Sequence, residues 1–175
     1  MSQLQERFDA LIEEQQQVAD RFKREAQSLF KDITKEFFDK NPAITAIRWC
    51  QYTPYFNDGD TCVFGVNEPN FTNCPIDQME DLDSWGDYRG EEEGIFAEGS
   101  FDWILKSDNR KYYAKQQDLI MPLVEEKKID LTSINNFSKI VQSSEMESIM
   151  LAMFGDHASI TATRDGFDVE EYDHD

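Results

Sequence analysis

Residues 158–172 read ASITATRDGFDVEEY. Two runs that alternate apolar and polar side chains flank Arg164-Asp165-Gly166. Asp-Gly between such runs predicts a β-hairpin, because glycine takes positive φ without steric cost. In that hairpin Ile160, Ala162, Phe167 and Val169 point one way, while Ser159, Thr161, Thr163, Asp168 and Glu170 point the other. A two-stranded ribbon with one apolar face must bury that face against the rest of the chain.

Upstream, the pattern recurs. Residues 44–56 (ITAIRWCQYTPYF) and 61–66 (TCVFGV) are rich in β-branched and aromatic residues and flank a second Asp-Gly pair, Asp58-Gly59. A turn centred there sets Tyr55 opposite Cys62, Thr53 opposite Phe64 and Gln51 opposite Val66. Ile47, Trp49, Tyr55, Phe64 and Val66 then share the expected core face. Pro54 cannot donate to a ladder, which predicts an edge or bulged strand.

The rest of the chain reads as helix and loop. Leu4, Phe8, Leu11, Val18, Phe22, Ala26, Leu29, Ile33 and Phe37 recur at helical steps, and no Gly or Pro intervenes before Pro42. A helix over 2–40 is a rod of roughly 58 Å, longer than the ~40 Å diameter of a compact domain of this size. Either it breaks near Gln15–Gln17, or its first turns project and pack on another chain. The second reading predicts a homodimer through residues 1–20, with Leu4, Phe8, Leu11 and Val18 as contacts. Helical spacing returns from Phe101 to about Phe154, with breaks expected near Pro122 and near Lys128 to Asp130, a start at Ser143 and a stop at Gly155. The fold class expected is α+β: a long N-terminal helix, two hairpins forming a small antiparallel sheet, and further helices packed on one face. The expected division is 1–41 for the helix and 42–175 for the α+β domain, which carries an acidic loop over 77–102.

The 175 residues hold 36 acids and 17 bases, a net charge of −19. Residues 77–102 carry ten acids and one base, and residues 156–175 carry seven acids and one base, so these two stretches hold 15 of the 19 net charges. Such a chain repels phosphates and anionic lipid, so no direct nucleic acid or membrane partner is expected. No stretch has the apolar length of a membrane span, and the N-terminus lacks a secretory pattern. The three cysteines Cys50, Cys62 and Cys74 predict free thiols in a reducing cytoplasm.

Chemistry-bearing motifs are missing. There is no phosphate-cradling glycine loop, no HExxH and no nucleophile elbow. Asn57-Asp58-Gly59-Asp60 starts like a calcium loop, but Cys62 and Val63 stand where the later ligand and glycine belong. His157 beside Asp156 leaves a hydrolase as a third, weaker option. No enzyme activity, catalytic residue, cofactor or metal site is expected.

The clustered acids suggest a partner. Residues two apart on a strand lie about 6.8 Å apart, close to two phosphate steps of about 3.4 Å along one DNA strand. The alternative is a solvated face that keeps the chain soluble. In 77–102 the acids interleave with aromatics, which can anchor on a partner. The expected contacts are Asp77, Glu80, Asp81, Asp83, Trp85, Asp87, Tyr88, Glu91, Glu92 and Glu93 in one patch, and Asp165, Asp168, Glu170, Glu171 and Asp173 in the other.

Residues 48–69 (RWCQYTPYFNDGDTCVFGVNEP), with Phe154-Gly155-Asp156-His157 and residues 164–174 (RDGFDVEEYDH), resemble uncharacterised acidic proteins encoded by tailed bacteriophages. The resemblance implies no activity. It implies a context, the host cytoplasm, in which small acidic phage proteins bind host or defence proteins, some by imitating DNA. The expected function is a non-enzymatic acidic protein that blocks a basic nucleic-acid-binding site on such a partner. The alternative is a structural or assembly protein that oligomerises through its N-terminal helix.

Overall fold

The computed structural model describes residues 3–56, 58–73, 95–97 and 110–173. Helix α1 (Gln3–Lys40) runs unbroken for 38 residues. The Gln15–Gln17 run does not interrupt it: the amides of Gln16 and Gln17 bond the carboxylates of Asp20 and Glu13, one turn away in either direction. The helix ends in a dense polar junction. The buried Asn41 amide donates to Phe37 O at 3.0 Å and to Ser133 Oγ at 2.6 Å, and its Oδ1 accepts the Asp130 N–H at 2.6 Å. Arg164, from the distant hairpin, donates to the carbonyls of Phe38, Asn41 and Ile44 at 3.0–3.3 Å. A cation at the C-terminal end of a helix meets both its orphan carbonyls and its negative dipole end.

The sheet comprises β1 (Ala46–Tyr52), β2 (Gly65–Val66), β3 (Asn70–Thr72), β4 (Ile95–Ala97), β5 (Ala158–Thr163) and β6 (Gly166–Glu171). Its order is β4-β3-β1-β5-β6, with β2 also on β1, and every pairing is antiparallel. Gln51 faces Val66 as expected, but the ladder ends one pair later, at Tyr52 and Gly65. Pro54 therefore falls beyond β1, and β1 lies in the middle of the sheet rather than at an edge. Tyr55 is no core residue either, being 70% exposed. The β3–β4 pair was not expected, since two three-residue strands separated by a long acidic stretch leave no periodicity. In the second hairpin the pairs Ile160–Val169, Thr161–Asp168 and Ala162–Phe167 keep the two faces expected from the alternation, and the two-residue turn Arg164-Asp165 closes them.

Three helices follow β4 in sequence: α2 (Arg110–Glu125), α3 (Leu131–Val141) and α4 (Ser144–Phe154). Pro122 lies inside α2, contrary to expectation. It sits in the last turn, where little helix remains to be broken. Asp130 caps α3 by accepting the N–H groups of Thr132 and Ser133, and Gly155 with φ 87° ends α4.

The core lies between the helices and the inner face of the sheet. Phe30, Phe37 and Phe38 of α1 join Ile47 and Trp49 of β1, Phe71 of β3, Ile134 and Phe137 of α3, and Ile160 and Ala162 of β5. Phe30 is its hub, with rings at 6.3 Å (Trp49), 6.0 Å (Phe137), 6.4 Å (Phe154) and 5.8 Å (Phe167). Met150 is fully buried, and Met146 and Met153 pack beside it, so this methionine series belongs to the core.

Candidate functional site

Strand β6 forms one end of the sheet and carries the second acidic patch. Its alternation divides the carboxylates. Asp168 and Glu170 lie on the outer face, level with Thr161 and Ser159 of β5 and then with Arg48 and Cys50 of β1. Glu171 shares the parity of Phe167 and Val169, Asp165 sits in the turn, and Asp173 follows the strand. All five are exposed. The single-face row therefore comprises Asp168 and Glu170, and the others continue the charge around the edge.

Among the described residues, one base reaches this row. Arg48 bonds Ser159 Oγ at 2.9 Å and meets the Glu170 carboxylate at 3.6 Å. Among the described residues, Glu170 is the one of the five in an ion pair. Arg164 lies next to Asp165 in sequence, but its guanidinium is directed to the end of α1 and stacks over the Phe38 ring at 5.4 Å. The alternation of β1 places Arg48 on the outer face. Its meeting with Glu170 requires the order β1-β5-β6, which no local pattern encodes.

Aromatic side chains gather at the far end of this edge. The Tyr172 N–H donates to His157 O at 2.7 Å, and the Tyr52 and Tyr172 rings lie 5.5 Å apart. Tyr55 stacks on the His157 imidazole at 4.7 Å, while the neighbouring Phe56 is 77% exposed. Asp156 pins the chain beyond β1 to the turn before β5. Its carboxylate accepts the Thr53 N–H and hydroxyl, both at 2.8 Å, and the His157 N–H at 2.9 Å. Desolvation pushes the Asp156 pKa up, but the Thr53 and His157 hydrogen bonds outweigh it and hold the group below its ordinary value. His157 Nε2 lies 3.8 Å from the same carboxylate. His157 thus meets Tyr55, Asp156 and Tyr172, contacts that anchor a turn. Burial raises the Cys50 thiol pKa, against the Ser159 hydrogen bond and the nearby Arg48, which keeps it protonated at neutral pH.

The first acidic patch, Asp77, Glu80, Asp81, Asp83, Trp85, Asp87, Tyr88, Glu91, Glu92 and Glu93, lies outside the described residues, as does Cys74. Cys50 and Cys62 are free thiols. A groove of about 200 Å³ between α1 and α3, lined by Ile33, Glu36, Phe37, Lys40, Ser133 and Asn136, is smaller than the roughly 300–1,000 Å³ of small-molecule sites. Among the described residues no cluster of His, Cys, Asp and Glu is suited to a metal ion, and no helix is long and apolar enough to cross a membrane. No family model, no curated protein and no solved structure matches the chain.

Proposed function

We propose that the chain is a non-enzymatic, acidic interaction protein, encoded by a phage, that occupies a basic nucleic-acid-binding surface on a host or defence protein. The observation that carries this reading is the β6 edge: five exposed carboxylates, one of them met by a cation among the described residues, running toward the exposed rings of Tyr55 and Phe56. A solvated face needs charge but not aromatic rings beside it, whereas interfaces join charged rims to aromatic anchors. Exposed carboxylates attract a basic surface over roughly a Debye length of 8–10 Å, so association is fast and weakens with salt.

The test is capture of basic host proteins on the immobilised chain, washed at graded salt and repeated with duplex DNA as competitor. Reversal of Asp165, Asp168, Glu170, Glu171 and Asp173 to Lys abolishes DNA-competed capture if the reading holds. Capture that survives both high salt and this reversal overturns it for the hairpin.

A second reading, self-assembly through α1, is favoured by a separate observation. Leu4, Phe8, Leu11, Ile12, Val18, Phe22 and Leu29 are all 48–74% exposed on one helix.

A further inference from the structure

The exposed residues of α1 form a seam distinct from the face that packs on the core. At 100° per residue, Leu4, Leu11, Val18, Phe22 and Leu29 fall within about 40° of one another, while Phe30, Thr34, Phe37 and Phe38 centre about 120° further round. Leu29 stays outside although its neighbour Phe30 is the hub of the core. The seam has heptad spacing: Leu4, Leu11, Val18 and Glu25 occupy one line, and Phe8, Gln15, Phe22 and Leu29 the other. At the observed exposures the six large apolar side chains of these lines, with Ile12 on the flank beside them, present roughly 100 Å² each. Burying them in a pair removes about 1,400 Å², within the roughly 1,200–2,000 Å² of stable interfaces.

We infer that this seam pairs with a second copy of the chain, antiparallel, over residues 4–29, with the two-fold axis between Gln16 and Gln17. The inference deepens the assembly reading, rests on it, and does not depend on the acidic one. In this register Leu4 meets Leu29 of the second copy, Leu11 meets Phe22, Gln15 meets Val18 and Phe8 meets Glu25, each twice. The charged flank decides the direction. Arg7, Glu14 and Arg21 occupy one flank, and Gln5, Ile12, Ala19 and Ala26 the other. An antiparallel pair sets like flanks together, so Glu14 meets Arg21 of the second copy at two symmetric places, and Ile12 meets Ala19. A parallel pair sets Glu14 against Ala19, makes no flanking ion pair, and brings the two Glu25 carboxylates face to face. Glu25 in the antiparallel seam keeps its intrahelical partner Arg21, 4.0 Å away. A lipid surface is the weaker occupant, because residues 3–25 hold six acids against four bases and interfacial helices are typically basic.

Sedimentation equilibrium on the full chain tests the inference. Wild type is expected to dimerise, and Leu11→Asp with Phe22→Asp to be monomeric with unchanged helical circular dichroism, since both residues are solvent-exposed in the single chain. Arg21→Glu or Glu14→Arg alone raises the dimer Kd about tenfold, and the two together restore it. A dimer indifferent to Arg21→Glu, or unrestored by the double exchange, overturns the antiparallel register while self-assembly stands. A chain that remains monomeric at ~100 μM, including one that instead floats with phosphatidylcholine vesicles, overturns both.

Discussion

The two halves of α1 share one helix and one kind of sequence, yet meet different surroundings. Residues 30–38 bury Phe30, Phe37 and Phe38 beneath the sheet, whereas residues 3–25 bury none of their side chains. Hydropathy does not separate them, since Phe22 and Phe30 are the same residue two turns apart. Azimuth and position along the rod do. A helical side chain is buried when something packs on its own side of the rod at its own height: the domain covers the side that carries Phe30 over residues 30–38, while Ile12, at the same azimuth five turns earlier, is 48% exposed. The first half presents a second face, for which the described residues supply no cover.

The largest expected break in that symmetry is Phe30→Ala. It removes the hub of four ring contacts and should cost about 3–5 kcal/mol in urea unfolding. Phe22→Ala, measured where the chain is dilute, should shift the same transition by less than about 0.5 kcal/mol. Equal costs would mean that the two halves are not differently packed. Asn41→Ala comes next, at about 1–3 kcal/mol, because it removes the buried amide that joins Phe37 O, Ser133 Oγ and the Asp130 N–H. Arg164→Met should cost about 1–2 kcal/mol, losing hydrogen bonds to three carbonyls and the contact with Phe38.

The smallest effect is pH-dependent. The Asp156 pKa in the folded chain lies below its ordinary value of about 3.9. Its stabilisation is therefore complete above that value and is lost as pH falls through the lower folded one. Asp156→Asn should lower the melting temperature slightly at neutral pH, and the difference from wild type should close on acidification. A constant difference would show that the Thr53 clip does not depend on the charge.

Much of the fold is legible where the determinant is local. The apolar spacing of α1, the Gln51–Val66 register and the two faces of β5–β6 follow from periods and Asp-Gly turns, all within a few residues of the side chains they place. What escapes is non-local. Pro54 reads as an edge signal until β1 is seen to end before it, with β5 on one side and β3 on the other. Strands β3 and β4 carry too few residues for a period to show. In the candidate site the acids of β6 are legible. Their division between faces follows from the strand alternation, but the Arg48–Glu170 pair depends on β5 lying between its partners, and the stack of Tyr55 on His157 depends on the Asp156 clip. The aromatic alternation of 44–56 placed Tyr55 in the core because it assumed the ladder continued past Tyr52.

The central claim is that one half of α1 is completed by its own domain and the other by a second copy. Amide hydrogen exchange on the intact chain across a dilution series tests it residue by residue. The account predicts that residues 30–38 are protected at every concentration, while residues 4–25 are protected at ~100 μM and exchange far faster at ~1 μM. Protection of residues 4–25 that does not change with dilution, whether high or low throughout, would contradict it.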